Sequence, residues 1–201
     1  MPQLDRLLGH LMAYPYNIVR FYASDMIIHS FSDLSYLSES HSRSRAGGVA
    51  FYGWRNNPER INGPILTSST ILDVVVGSVA EGEYGAAYKT ARQIVWLRIV
   101  AAALGHPQPT STTIHVDNTA AVGLANDTLK IVRSKAIDMR FHWLRDRVRQ
   151  GQIRVVHIPG ERQLADFFTK ALPVWQHIKQ MTKFVRIPKH HSTNSTRGYV
   201  E

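Results

Sequence analysis

The order of strand-like and helix-like segments predicts an α/β fold built on one mixed five-stranded sheet with helices on both faces. Two observations carry this. Three strand-like runs come first, over 26–33, 45–54 and 61–67, and sequential strands of this kind form an antiparallel meander. The period then switches, and helical segments alternate with strands to the end of the pattern, which is the arrangement that adds parallel strands.

Each element has a local reason. LDRLLGHLMAYP reads as a short amphipathic helix that must end before Pro15. MIIHSFSD is the first strand of the sheet, and RAGGVAFYGW the second; Gly47 and Gly48 within it allow another backbone or a ligand to come close. Asn-Asn-Pro and Ser-Ser-Thr turns flank the third strand. From Val79 to Leu104, Ala87, Ala91, Ile94, Val95, Val100, Ala101 and Leu104 recur at helical spacing, and Gly105 stops the helix. A strand over 112–117 and a short helix over 118–125 follow. An amphipathic helix over 134–150 stops at Gly151; strand 152–158 and helix 161–171 complete the set. Residues 174–201 are assigned to a basic tail; its final stretch, TKFVRIPKHHSTNSTRGYVE, is polar and aperiodic and reads as disordered.

The 201 residues make one domain with tails, and an apolar fraction of 44% supplies a sizeable core. No run of 18 apolar residues exists, so no transmembrane span is expected. The first residues lack the basic start and small-residue cleavage site of a signal peptide. With no cysteine there is neither a disulfide nor a thiolate metal site, which fits an intracellular protein. The excess of 24 basic over 15 acidic residues gives +9, a charge suited to a polyanion such as nucleic acid, or simply to solubility.

Five acidic residues stand out, two of them rivals for one place. Asp33 and Asp117 each end a strand-like run, Glu81 and Glu83 open the long helix, and Asp166 sits in RQLADFFTKAL. Separations of 50, 34 and 49 residues between Asp33, Glu83, Asp117 and Asp166 mean that only the fold could bring them together. Gathered carboxylates repel unless a cation such as Mg²⁺ or Mn²⁺ neutralises them, and two such ions can clamp the attacking and leaving oxygens of a phosphodiester. Bland roles compete at every position: a turn former at Asp33, an N-cap at Asp117, a surface charge at Asp166. Glu81 and Glu83 lie about 200° apart around a helix, so only one can face a shared site, and either could merely complement the helix dipole.

SDLSYLSESHSRSRAGG, SVAEGEYGAAY, IHVDNTAAVGLAND and VRSKAIDMRFHWLRDRV…IRVVHIPGERQLADFFTKALP, in this order from about residue 20 to 173, resemble the ribonuclease H domain of copia-type LTR retrotransposon Pol polyproteins. Leu34 and Ala136 depart from the family's usual alanine and histidine. The resemblance implies a ribonuclease H-like fold over 25–173, with 1–24 the remnant of the junction that follows the polymerase and connection. It implies that Asp33, Glu83 rather than Glu81, Asp117 and Asp166 hold two Mg²⁺ ions, with Mn²⁺ as the alternative, and that Asn118 caps the following helix. The implied reaction is hydrolysis of the RNA strand of an RNA–DNA hybrid, leaving 3′-hydroxyl and 5′-phosphate ends. The reverse transcriptase and connection domain of the same polyprotein are the implied protein partners. The implied place is intracellular, in a cytoplasmic virus-like particle or the nucleus.

His157, nine residues before Asp166, lies in a strand just before Pro159 and is read as structural rather than as a mobile catalytic histidine. Arg133, Lys135, Arg140 and Arg145 head a run of seven basic groups in 17 residues, interleaved with Phe141 and Trp143; this is either a phosphate track or a solvated helix face. Two other readings share the four carboxylates: an inactive nucleic-acid-binding module, and a structural domain that acts only beside its polymerase. A transposase or integrase of related fold is disfavoured because its D-D-E order and spacing are absent.

Overall fold

The computed structural model describes residues 2–57, 59–129 and 138–188. In chain order the elements are α1 (Pro2–Ala13), β1 (Ile18–Val19), β2 (Ile27–Glu39), β3 (Arg43–Gly53), β4 (Pro64–Ile71), α2 (Val79–Ala103), β5 (Thr112–Val116), α3 (Thr119–Ala125), α4 (Asp138–Arg149), β6 (Ile153–His157), α5 (Val174–Phe184) and β7 (Val185–Arg186). The main sheet has five strands in the order β4-β3-β2-β5-β6. β2–β3 and β3–β4 are antiparallel, whereas β2–β5 and β5–β6 are parallel. This is the mixed sheet expected from the order of segments.

Strand alternation divides the core. Ile28, Ala50, Ile114, Ile153 and Val155 face Tyr84, Ala87, Ala91 and Ile94 of α2 and Leu144 of α4. Tyr84, Ile94 and Leu144 are no more than 1% exposed; burying each contributes about 2 kcal/mol. Phe31, Val49 and Phe51 point to the other face, against Leu164, Ala165 and Phe184. Helices therefore cover both faces.

Two adjacent glycines in β3 make this close layering feasible. A Cβ at Gly47 would lie 2.5 Å from Thr169 Cγ2 and 3.1 Å from the Ala165 carbonyl oxygen, so only glycine lets that segment rest on the sheet. One at Gly48 would lie 2.8 Å from Thr90 Oγ1 of α2, on the other face.

Four segments differ from expectation. The first strand of the sheet runs over Ile27–Glu39 rather than 26–33, so Asp33 lies within β2 and does not end it. The helix expected over 161–171 is instead a pair of 3-10 turns, Gly160–Arg162 and Ala165–Phe168. The reason is Gln163, fully buried and non-helical, whose Nε2 donates to the Ser32 carbonyl of β2 at 2.9 Å. That anchor outweighs local helical preference. Residues 174–186, assigned to the tail, form α5 and β7: Met181 and Phe184 are buried, and Phe184 packs on Phe167 and Phe168. β7 pairs antiparallel with β1, and His10 of α1 meets His177 of α5 edge-on at 5.3 Å, so the first and last described segments brace each other. The third meander strand runs over 64–71 rather than 61–67, starting at Pro64, whose missing N–H suits a strand's first residue. Among the described residues no helix is long and apolar enough to cross a membrane.

Candidate active site

Register assembles the first two carboxylates. β2 and β5 run parallel with His29 opposite Thr113 and Phe31 opposite His115. Asp33 and Asp117 each lie two residues further on, so they project from the same face where the parallel ladder ends. Asp117 follows β5 directly, and Asn118 takes over the capping of α3: its Oδ1 accepts from Ala121 N at 3.0 Å. The capping role that competed for Asp117 is thus filled by its neighbour.

The start of α2 separates Glu81 from Glu83. Ser78 is the N-cap and accepts from Glu81 N at 3.2 Å, while Glu81 Oε2 accepts from Gly77 N at 2.7 Å. This reciprocal pairing is a capping box in all but its last contact, which falls on the residue before the cap. Glu81 stabilises the helix end at the surface. Glu83 turns inward, is 4% exposed, and is hydrogen-bonded by the Leu34 backbone N–H.

One oxygen from each of Asp33, Glu83 and Asp117 lies within 4.8 Å of the others. Asp166 comes close from the second 3-10 turn but falls outside this triad. Its Oδ1 is bound by Lys170 Nζ at 2.5 Å, and that ammonium stands 3.6 Å from Asp33 Oδ1. Thr169 donates its hydroxyl to Asp33 Oδ2. Thr169 and Lys170 belong to the ADFFTK block, yet sequence reasoning gave neither a role. The four-residue spacing of Asp166 and Lys170, which places them on one side of a helical turn, is the signal that was present.

Burial dominates the electrostatics. Asp33 is fully buried, and desolvation pushes its carboxyl up to about 7; Thr169 and Lys170 oppose this, and the charges of Asp166 and Asp117 add to it. Desolvation likewise drives Glu83 up to about 9, reinforced by Asp33 and Asp117. Asp33 Oδ1 and Glu83 Oε2 are buried with no hydrogen-bond donor. Buried acceptors of this kind call for a partner, and three converging carboxylates form an all-oxygen donor set suited to a hard divalent cation. The residues present therefore fit the Mg²⁺ or Mn²⁺ expected from the sequence.

The basic stretch is only partly in view. Arg133 and Lys135 lie outside the described residues, as does the side chain of Arg140. Arg145 is directed into the fold, donating to the carbonyls of Leu124 and Leu129 at 2.8 and 3.0 Å and pairing with Asp127 at 2.8 Å. Arg149 also pairs with Asp127. His157 closes β6 opposite Val116, with its side chain exposed. It lines a groove of about 410 Å³ with Phe31, Phe51, Ile158 and Leu164 on the sheet face away from α2.

No family model matches the chain. Its sequence is 28% identical over 153 residues, 76% of the chain, to the retrovirus-related Pol polyprotein from transposon TNT 1-94 of Nicotiana tabacum. It is 27% identical over 188 residues, 92% of the chain, to that from transposon RE2 of Arabidopsis thaliana. The chain spans only 11–12% of the length of these curated relatives. Among solved structures it is similar to LC11-RNase H1, isolated from compost by a metagenomic approach, at a TM-score of 0.51 and 17% identity, covering 72% of this chain and 93% of that one. The same enzyme in complex with an RNA/DNA hybrid gives a TM-score of 0.50, also at 17% identity, covering 71% and 93%. Sheet order and these likenesses agree: the chain has a ribonuclease H fold, and its sequence is similar to a short part of retrovirus-related Pol polyproteins from plant transposons.

Proposed function

We propose that this domain is a metal-dependent ribonuclease H that hydrolyses the RNA strand of RNA–DNA hybrids during retrotransposon reverse transcription. The observation that supports it most is the meeting of Asp33, Glu83 and Asp117, from three separate elements, with oxygens within 4.8 Å of one another. Buried oxygens on Asp33 and Glu83 that accept no hydrogen bond add to the case for a cation. Two Mg²⁺ ions, when bound, supply Lewis acidity toward the scissile phosphate and the attacking water.

The chain's own groups hold the geometry. Asp33, central in the sheet, is the shared anchor, its carboxylate oriented by the Thr169 hydroxyl. Asp117 approaches from the end of β5, Glu83 from beneath on α2, and Asp166 from the 3-10 turn. Burial of Asp33 and Glu83 excludes water from one side, which strengthens their hold on a cation. The +9 charge favours the hybrid's phosphates, and Arg133, Lys135 and Arg140 are the proposed contacts. Arg145 would act mainly by bracing residues 124–129. Selectivity for a hybrid is expected from groove shape and 2′-hydroxyls, not base sequence. The reverse transcriptase and connection domain of the same polyprotein are the proposed partners, consistent with relatives many times longer than this chain.

The test is incubation of the isolated chain with an end-labelled RNA–DNA hybrid in Mg²⁺, beside duplex DNA and duplex RNA. Cleavage of the RNA strand of the hybrid alone, abolished by EDTA and by Asp117→Asn, is the expected result. Hybrid binding without any cleavage in Mg²⁺ or Mn²⁺ would instead support an inactive binding module.

A further inference from the structure

The four carboxylates form two unequal groups. Asp33, Glu83 and Asp117 converge on one point. Asp166 lies outside that group and is linked to it by Lys170, whose Nζ lies 2.5 Å from Asp166 Oδ1 and 3.6 Å from Asp33 Oδ1. Lys170 reaches there because it follows Asp166 by one turn: its backbone N–H donates to the Asp166 carbonyl at 3.0 Å. Among the described residues it is the basic side chain paired with Asp33, and its own side chain is 40% exposed. It can therefore swing into solvent without disturbing the core.

We infer that Lys170 is a tethered counter-cation that occupies the Asp33–Asp166 side of the site when metal is absent and competes with a divalent ion for that position. This deepens the proposed two-ion reading and rests on it. A cation held by both Asp33 and Asp166 would compete with the ammonium, which already sits against Asp33 Oδ1 and Asp166 Oδ1. The Asp33–Glu83–Asp117 position meets only the longer of the two contacts, 3.6 Å to Asp33 Oδ1, and so faces the weaker competition. Two ions should accordingly bind with different affinities, the weaker at Asp166. Lys170 is a positioning residue in this account: it keeps Asp166 beside Asp33 until the ion arrives.

Calorimetric titration of the whole chain with Mg²⁺, repeated with Mn²⁺, tests this on the parent, Lys170→Met and Lys170→Arg. Lys170→Met removes the competing charge within about 4 Å of two carboxylates and should tighten the weaker site by about tenfold. Lys170→Arg retains a cation and should keep the parent's isotherm. In EDTA, Lys170→Met should melt below the parent, and saturating Mg²⁺ should close the gap, which a merely structural lysine would not do. Superimposable isotherms for parent and Lys170→Met overturn the inference, as does the absence of ion binding by either protein. A parent that cleaves no hybrid, together with a tightened isotherm in Lys170→Met, would reject the nuclease and keep the counter-cation.

Discussion

Thr169 donates its hydroxyl to Asp33 across 136 residues of sequence, tying the 3-10 turn that carries Asp166 to the central strand of the sheet. Thr169→Val keeps the shape and removes the donor. With that donor gone, the Asp33 carboxyl, already pushed up to about 7, should titrate higher still. Hybrid cleavage should fall by about tenfold to a hundredfold through misplacement of Asp33 and Asp166, while Thr169→Ser should recover most of it. Cleavage rates in Mg²⁺, and melting temperature against pH in EDTA, check this for the three proteins; unchanged rates and an unchanged pH dependence of melting in Thr169→Val would remove the hydroxyl from the account.

Asp33→Asn and Asp117→Asn should each abolish cleavage while leaving the fold intact. Asn at 33 also relieves a buried charge, so that variant should melt at or above the parent temperature in EDTA. Activity within about tenfold of the parent for either variant would sink the assignment.

Glu83 and Glu81 should separate cleanly. Glu83→Gln removes an inward carboxylate and should cost cleavage by about a hundredfold or more, without loss of metal-free stability. Glu81→Ala removes the acceptor for the Gly77 N–H, leaves the Glu81 N–H to Ser78 Oγ bond in place, and should cost about 1 kcal/mol of stability with cleavage retained. Melting curves and single-turnover rates measured together distinguish the two; the opposite pattern would reverse their roles.

Metal-free stability should fall as pH rises. Burial raises Asp33 from an ordinary 3.8 to about 7 and Glu83 from 4.5 to about 9. Below the ordinary values both carboxyls are protonated whether folded or unfolded. Between those values and the raised ones the unfolded chain releases protons that the folded chain retains, so higher pH favours unfolding. In EDTA, the melting temperature at pH 8 should lie on the order of 5 °C or more below that at pH 5. Saturating Mg²⁺ should recover most of the difference at pH 8 and add little at pH 5. Equal melting temperatures at the two pH values in EDTA would mean that the cluster ionises without penalty.

The sheet was legible because its signals are local. Alternation marks β2 and β5, and the change of period at Val79 marks α2. Asn118 was foreseen as the cap because the resemblance assigned its Asx neighbour, Asp117, to the metal site. The 3-10 turns were not legible, because Gln163 takes its conformation from the Ser32 carbonyl, 131 residues away. α5 was missed because its buried apolar residues, Met181 and Phe184, are few among polar neighbours, and Phe184 makes sense only against Phe167 and Phe168. Thr169 and Lys170 were visible as letters in a motif, but their work depends on lying next to Asp33, which no spacing within the motif reveals.

The pairing of Phe31 with His115 makes the site a matter of counting. Asp33 and Asp117 share a face because each lies an even number of residues beyond that pair. One residue inserted or deleted between 31 and 33, or between 115 and 117, would turn a carboxylate to the opposite side of the sheet. The loops escape this parity. The connection over 105–111 can gain or lose residues without moving Asp117 off its face, provided that β5 keeps its register with β2. Length changes in copies of this domain should therefore collect in the connections and be purged within two residues of either aspartate.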